Sequence, residues 1–533
     1  MKRRIFIVLM LTLFATGIIF AGGGSAQDQT VQQVMVNRTG LPIVNERLNL
    51  EGVASKNFNV DDWNDLLMFE TYERLTNIYV NWMMIPDESF IERRNIMIAS
   101  DDLPDLFIRG SFSALDEATY GMQGTLMALN RYLDDYAPNL TAIMNENPSV
   151  RRSIAMADGN IYTLPQLNTT MGNLVTKYWI RDPWLERLSI RKPETIDEFY
   201  NTLVQFRDRD AAGNGQTIAL AGAYRGLTGL YISKFFAGAF GFGRVGGTYM
   251  SFVDADANNQ MQFVPFNPNY RALLEFMNRL YAENLMDREL FTLDGSRFMA
   301  KAEEGNMGVI LGGNNFQPIG SRYMREYSSI TPLRGTGGHQ YWIQVNPFVQ
   351  IRGTAAISSR NRYPEATLRY LDYLYTEEGT KLVRLGVEGV TYNRGPDGRF
   401  AYVPAVANDP QGRTVDRMVG TFTIFPGGGV PQMITDEIDL SAAQWPEIIA
   451  STVNYLPYLP QENIHLNFTV DEVYELNAMR NDILTYIEEM EIRFITGVEN
   501  FANWNTFTTN LERMNVRRYT ELHNNAYQRY RQP

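Results

Sequence analysis

The chain has 533 residues, 44% of them hydrophobic and 20% charged, a composition that builds packed cores and, at this length, more than one of them. Its formal net charge is −12, with no run of five or six like charges, which argues against nucleic acid and against an anionic membrane surface as partners. Cysteine is absent, so disulfides, thiol nucleophiles, thiolate metal sites and a cysteine-borne lipid are excluded together.

At the amino end Lys2, Arg3 and Arg4 precede an apolar run from Ile5 to Phe20 and then the small residues Ala21-Gly22-Gly23-Gly24-Ser25-Ala26. This is the layout of a secretory signal peptide, and the run is shorter than the roughly 18–20 apolar residues that a spanning helix needs. Cleavage after Ala26 is expected, which puts the mature chain, starting at Gln27, outside the cytoplasm.

Beyond a polar lead-in, the pattern predicts a strand at 48–53 and a helix at 61–76, where Trp63, Leu66, Leu67, Phe69, Tyr72 and Leu75 fall near helical spacing. Ile78, Val80, Trp82 and Met84 then alternate as a half-buried strand does. A helix at 88–99 and a strand at 105–108 repeat the pair. Such alternation points to an α/β sheet with helices on its faces. Later helices are expected at 196–207 and 270–283, with an apolar strand at 307–311 closed by Gly312 and Gly313. The last third is more helical: Thr469 and Glu472 form a capping box, and Val473, Leu476, Met479, Ile483, Ile487, Met490 and Phe494 keep a period near 3.5 until Gly497. A further helical stretch runs through Trp504, Leu511, Tyr519 and Tyr527. Glycine and proline gather at 158–165, 331–338, 395–398 and 426–431, sites of loops or crossovers.

The histidines are His339, His465 and His523, too far apart for two to share a helix face, which argues against metal catalysis and a histidine-based triad. Residues 241–246 spell Gly-Phe-Gly-Arg-Val-Gly, but the dinucleotide motif needs a strand before it and a helix after it. Neither flank fits. Residues 208–216 have the look of a calcium loop in which Asp210 and Asn214 would be side-chain ligands, yet the third position is Ala212 and no acid follows within twelve residues. A polar turn fits as well, and no metal or cofactor is expected, structural calcium being the one candidate.

Several segments, in order along nearly the whole chain, together resemble the extracellular solute-binding proteins of ABC sugar importers. They are Trp63-Asn64-Asp65; Met97-Ile98-Ala99-Ser100-Asp101-Asp102-Leu103-Pro104-Asp105; Asp158-Gly159-Asn160-Ile161-Tyr162-Thr163-Leu164-Pro165; and Trp179-Ile180-Arg181-Asp182-Pro183-Trp184-Leu185 leading to Pro193-Glu194-Thr195-Ile196. The most specific are Tyr363-Pro364-Glu365-Ala366, Asp372 to Gly379, and Gly386-Val387-Glu388-Gly389-Val390-Thr391-Tyr392. The resemblance is to the oligosaccharide-binding branch that includes the alginate-binding proteins and many Gram-positive lipoproteins. Two departures stand out: the lipobox cysteine of many relatives is missing, and so is their fuller calcium loop.

The resemblance implies an α/β, two-lobed periplasmic binding protein fold, with interleaved lobes around a central cleft, hinge crossings and a helical C-terminal region. It implies a first lobe from 45–164 and 351–392, a second from 165–350 and 393–533, and crossings that fall at 158–168 and 395–398. It also implies a periplasmic, monomeric receptor that closes over a carbohydrate, an oligosaccharide in this branch, and hands it to a membrane permease without covalent chemistry. By position, the ligand-binding residues would be Arg109, Ser111, the crossing residue Asn168, and in the second lobe Trp179, Arg181, Tyr231, Asn314, Asn315, Phe316 and Trp342. Trp179 and Trp342 equally suit a lobe core, and Arg181 a helix cap. A secreted glycan-acting hydrolase and a sensor or adhesin on the same fold remain the alternatives, separable by release of reducing ends and by uptake in a deletion strain.

Overall fold

In the computed structural model, the residues described are 34–57, 59–172, 174–222, 232–246, 249–293, 295–312, 323–343, 348–425, 428–440, 446–460 and 462–532. Ten strands form the two large sheets: β1 (Leu48–Lys56), β2 (Ile78–Pro86), β3 (Leu106–Ile108), β4 (Thr163–Asn168), β5 (Lys177–Arg181), β6 (Ile218–Ala221), β7 (Met307–Gly312), β8 (Tyr327–Ile330), β9 (Val349–Ile357) and β10 (Gln432–Ile434). The first sheet has the order β10-β4-β9-β3-β1-β2 and the second β8-β5-β7-β6.

In the first sheet β1, β2 and β3 run parallel, β9 runs against β3 and β4, and β10 runs with β4. Parallel neighbours need helical crossovers, and the helices Leu67–Thr76 and Asp87–Ala99 supply them. The first begins later than its apolar spacing predicts. Trp63–Asp65 forms a separate 3-10 turn, because Leu66 is extended at ψ 134° and breaks the run. The predicted long helix is realised as Val470–Thr496: the Glu472 N–H donates to the Thr469 hydroxyl at 3.2 Å, the Thr469 N–H to the Glu472 carboxylate at 2.9 Å, and Gly497 ends it at φ 77°.

The largest core lies under the second sheet. Tyr178 and Ile180 of β5 join Phe199, Leu203 and Phe206 of the helix Ile196–Asp208, Leu273, Leu274 and Met277 of Pro268–Ala282, and Ile483, Ile487 and Phe494 of the long helix. Trp179, Ile310 and Tyr327 face a second cluster on the sheet's other side. Among the described residues no helix is long and apolar enough to cross a membrane.

The chain passes between the two sheets in three places. The first is 169–176, after β4. The second lies between Trp342, packed in the large core under the second sheet, and β9. The third lies between Leu440, packed on Leu385 and Tyr392, and Ile448, packed with Trp179 and Tyr327. Two expected boundaries therefore move. Residues 163–168 are a central strand of the first sheet, so the chain crosses after this segment instead of within 158–168. Residues 395–398 are the turn of a hairpin joining Tyr392–Arg394 to Phe400–Tyr402.

The stretch 393–440, expected in the second lobe, packs on the first. The Asp61 N–H donates to Gly420 O at 3.0 Å and the Met68 N–H to Phe422 O at 3.0 Å, while Arg417 pairs with Asp61 at 2.7 Å. The Thr423 hydroxyl donates to Leu382 O at 2.8 Å, and β10 completes the sheet edge.

Candidate functional site

All three crossings leave the first sheet at one edge, where β1, β2, β3 and β4 end and β9 begins. In an open α/β sheet this carboxyl edge is where ligands bind. The residues that follow β1, β2 and β3 converge there. The Asp87 carboxylate accepts from the Ser55 hydroxyl, from Asn57 Nδ2 at 3.5 Å and from Arg109 Nη2 at 3.5 Å.

The Arg109 backbone is held in a left-handed turn at φ 52°, followed by Ser111 at φ 49°. Both neighbours of this turn are pinned. The Gly110 N–H donates to Thr354 O at 2.9 Å, and the buried Arg94 donates to the carbonyls of Gly110 at 2.6 Å and Ser111 at 2.9 Å while pairing with Asp116 at 2.9 Å. Opposite, β9 bulges at Gly353, whose φ is 63° and whose added Cβ would stand 2.0 Å from Phe112 O. Only glycine lets the two backbones approach so closely.

The Arg109 side chain is 9% exposed, and its Nη1 is buried with no hydrogen-bond partner among the described residues. Burial lowers its pKa and the Asp87 charge raises it. A buried guanidinium nitrogen without an acceptor is costly, so a ligand oxygen that reaches it is bound with a gain. Ser111 is exposed beside it, its hydroxyl 3.5 Å from Arg109 O.

Asn168 ends β4, at the foot of the first crossing. Its Oδ1 accepts from the Thr170 N–H at 2.8 Å and the Thr170 hydroxyl at 2.7 Å, and its Nδ2 donates to Gln350 Oε1 at 3.2 Å. The carboxamide is thus spent on shaping the first crossing.

On the second sheet β6 and β7 end, and β5 starts, at the edge near the crossings. Lys177 opens β5 and is fully buried. Its Nζ donates to Val175 O at 3.3 Å and stands 5.6 Å from the Trp179 ring, and loss of hydration pushes its pKa down to about 7. The sequence reading missed this lysine, because Lys-Tyr-Trp-Ile-Arg alternates like a strand with an exposed cationic start.

The two predicted tryptophans are core residues. Trp179 is 1% exposed among Ala221, Phe298, Ile310 and Tyr327. Trp342 is equally buried, edge-on to Tyr178 at 5.1 Å and Tyr455 at 4.9 Å. Neither ring is open for stacking on a sugar.

Arg181 closes β5 at the end remote from the crossings. It donates through Nε to Glu326 at 2.8 Å and through Nη1 to Gly305 O, with its guanidinium 4.7 Å from the Tyr323 ring. This fixes it as a staple between β5 and the leads into β7 and β8, and removes it from the ligand edge. Tyr231, Asn314, Asn315 and Phe316 lie outside the described residues.

The remaining motifs are self-satisfied. The backbone N–H groups of Gly243 and Val245 donate to the Asp254 carboxylate at 2.6 and 3.3 Å, so this chain's own anion fills the glycine-rich turn where a phosphate would sit. His465 is half-buried with Nε2 3.2 Å from Val349 O, and His523 is buried with its pKa pushed down to about 4 by lost hydration. No cluster of three or more His, Cys, Asp or Glu side chains suited to a metal occurs among the described residues.

Residues 62–381 match the model of the bacterial extracellular solute-binding protein family. The chain belongs to that family. Among its relatives, this solute-binding protein is 23% identical over 549 residues to the fructooligosaccharide ABC transporter substrate-binding protein FusA of Streptococcus pneumoniae, with 99% of each chain covered. FusA solved with kestose, and as an EF-hand mutant with fructo-nystose, superposes with a TM-score of 0.72 at 22% identity, covering 91% of this chain and 99% of that one. An extracellular solute-binding protein from Bifidobacterium longum subsp. infantis gives a TM-score of 0.77 at 17% identity, covering 91% and 99%. The alginate-binding protein AlgQ2 without calcium ion gives 0.69 at 21%, covering 91% and 98%. These likenesses establish the two-lobed fold.

Proposed function

We propose that this solute-binding protein is the capture component of an ABC importer and that its solute is an oligosaccharide. The observation that carries the reading is the match to FusA, which runs through 99% of both chains instead of stopping at one lobe. A cleft floored by strand ends, with a guanidinium nitrogen awaiting an acceptor and three hinge segments behind it, suits a hydroxyl-rich ligand that bridges two lobes. Closure is driven by contacts made to both lobes at once, and a ligand attracted equally to open and closed states would shift nothing. No covalent step is needed, and the relatives described above are binding proteins.

The leader ending in small residues without cysteine supports a diffusible periplasmic receptor beginning at Gln27, which acts as a monomer and delivers its sugar to membrane permease subunits. The net charge of −12 speaks against nucleic acid as a partner.

The test is a thermal-shift screen over fructans, alginate and galacturonan oligomers, followed by native mass spectrometry of whatever copurifies. At ligand concentrations of about 100 Kd the native state gains about 2.7 kcal/mol, which is read as a rise in Tm with no release of reducing ends. No shift with any glycan, together with a copurified peptide, would overturn the sugar assignment; turnover would overturn the receptor.

A further inference from the structure

We propose that the loop 209–217, whose sequence has the look of a calcium loop, is a cation-independent turn braced by the Thr217 hydroxyl, the Arg187 guanidinium and the Asn306 carboxamide. The loop joins the helix Ile196–Asp208 to β6 and so sets the entry of a strand whose other end faces the crossings. In an oxygen-lined loop, calcium would gather six to eight oxygens, several of them carboxylate, and thereby tie the turn to itself and to the sheet.

The donors present do not fit that ion. Asp210 is the one carboxylate within the turn proper, and both of its oxygens are taken: Oδ1 accepts from the Thr217 hydroxyl at 2.7 Å and Oδ2 from the Gly215 N–H at 2.8 Å. Asn214 Oδ1 accepts from the Gln216 N–H at 3.0 Å. Ala212 brings no side-chain oxygen. The Asp208 carboxylate pairs with Arg207 at 2.7 Å.

Each task of the ion has a substitute. The Thr217 hydroxyl donates to Asp210 and accepts from the Ala212 N–H at 2.8 Å, which closes the turn across its mouth. Asn306, buried just before β7, accepts from Asn214 Nδ2 at 2.8 Å, donates to Gln216 Oε1 at 3.2 Å and takes the Ile218 N–H on its backbone carbonyl at 2.8 Å. Those three bonds fasten the turn to the neighbouring strand. Positive charge comes from Arg187, whose Nη1 would stand 3.8 Å from a Cβ added to Gly213. The Thr217 hydroxyl, the Gly215 and Gly213 N–H groups and then the Arg187 charge hold the Asp210 carboxyl below its usual range. A cation approaching the turn meets a guanidinium and a single carboxylate, each of whose oxygens already accepts a hydrogen bond.

The experiment melts the mature protein in excess EDTA and in millimolar CaCl2, and repeats this for Thr217→Val and Thr217→Ser. It reads no ligand, so its outcome is separate from that of the sugar screen. The wild-type Tm is expected to agree between the two media within about 1 °C, since an ion that does not bind the native state cannot stabilise it. Thr217→Val is expected to lower Tm by about 2–4 °C in both media, and Thr217→Ser to restore it. A wild-type Tm several degrees higher in CaCl2 than in EDTA would overturn the proposal, as would a Thr217→Val protein with unchanged Tm. Should Thr217→Val fail to fold, the wild-type comparison decides alone.

Discussion

The Asn168 N–H donates to the Phe348 carbonyl at 3.0 Å, and one residue further on the Thr169 N–H donates to Ile434 O at 2.9 Å. These bonds join the end of β4 to the start of β9 and the end of β10, the first-sheet strands from which the crossings run, and Met171, whose N–H reaches Asp436 at 2.8 Å, extends the seam. Rotation of one lobe must be absorbed just beyond these bonds, where regular pairing ends.

Asn168→Ala removes the acceptor for both the Thr170 N–H and hydroxyl. Loss of such a side-chain turn costs about 1 kcal/mol. The expected result is a slightly lower Tm and a sugar Kd raised a few-fold, because a looser hinge spends more of the binding energy on ordering. Calorimetric titration beside a melting curve checks it. An unchanged Tm with a loss beyond about a hundredfold would mean that the carboxamide holds the sugar directly.

Arg109→Gln should behave in the opposite way. The Asp87 side chain is 36% exposed and stays hydrated without its distant partner, so Tm should move little, by the equivalent of about 1 kcal/mol or less. Affinity should fall by tenfold or more, since a charge-assisted bond to a sugar hydroxyl is lost from a water-poor site. Equal affinity of wild type and variant would remove Arg109 from the binding site.

Arg181→Gln separates staple from ligand. The change strands the Gly305 carbonyl and the Glu326 carboxylate at the remote end of the second sheet. About 1–3 kcal/mol of stability should be lost, read as a lower urea midpoint, with sugar affinity within about twofold of wild type. A selective loss of affinity at full stability would return Arg181 to the ligand edge.

Periodicity made the long helix legible, since Val473 to Phe494 carry a stripe that one helix face must bury and Thr469 and Gly497 mark its ends. Arg109 was legible as a residue just past a strand. What local pattern could not reveal is pairing over distance. β10 holds its place through β4, some 266 residues earlier (Gln432 beside Gln166), and three residues of strand leave no periodic signal. The same limit misplaced 393–440, whose partners are Asp61, Met68 and Leu382. It hid Arg181 as well, because Glu326 and Gly305 are remote in sequence. Trp179 and Trp342 were ambiguous for a different reason: a ring that could stack on sugar and a ring that fills a core have the same composition, and only the second sheet's packing separates them.

Lys177 makes stability depend on pH in a direction that can be worked out. Its folded pKa is pushed down to about 7 by burial, whereas in the unfolded chain a lysine titrates near about 10.4. Between those values the unfolded state binds more protons than the native one, so this residue makes stability rise with pH from about 7 to about 10. Below about 7 both states are protonated and the burial cost is fully present. Lys177→Met fills the same space without charge. It should therefore be more stable than wild type at pH 6 by a few kcal/mol, of order 2–4, with the gap closing as pH approaches 10. Lys234, also lowered, and Glu491, raised to about 7, add slopes of opposite sign, but both are shared by the two proteins and cancel in the difference. Urea midpoints at a series of pH values for wild type and variant provide the check. A gap that stays constant from pH 6 to pH 10, or a wild type more stable at pH 6, would show that the Lys177 ammonium is solvated in the native protein.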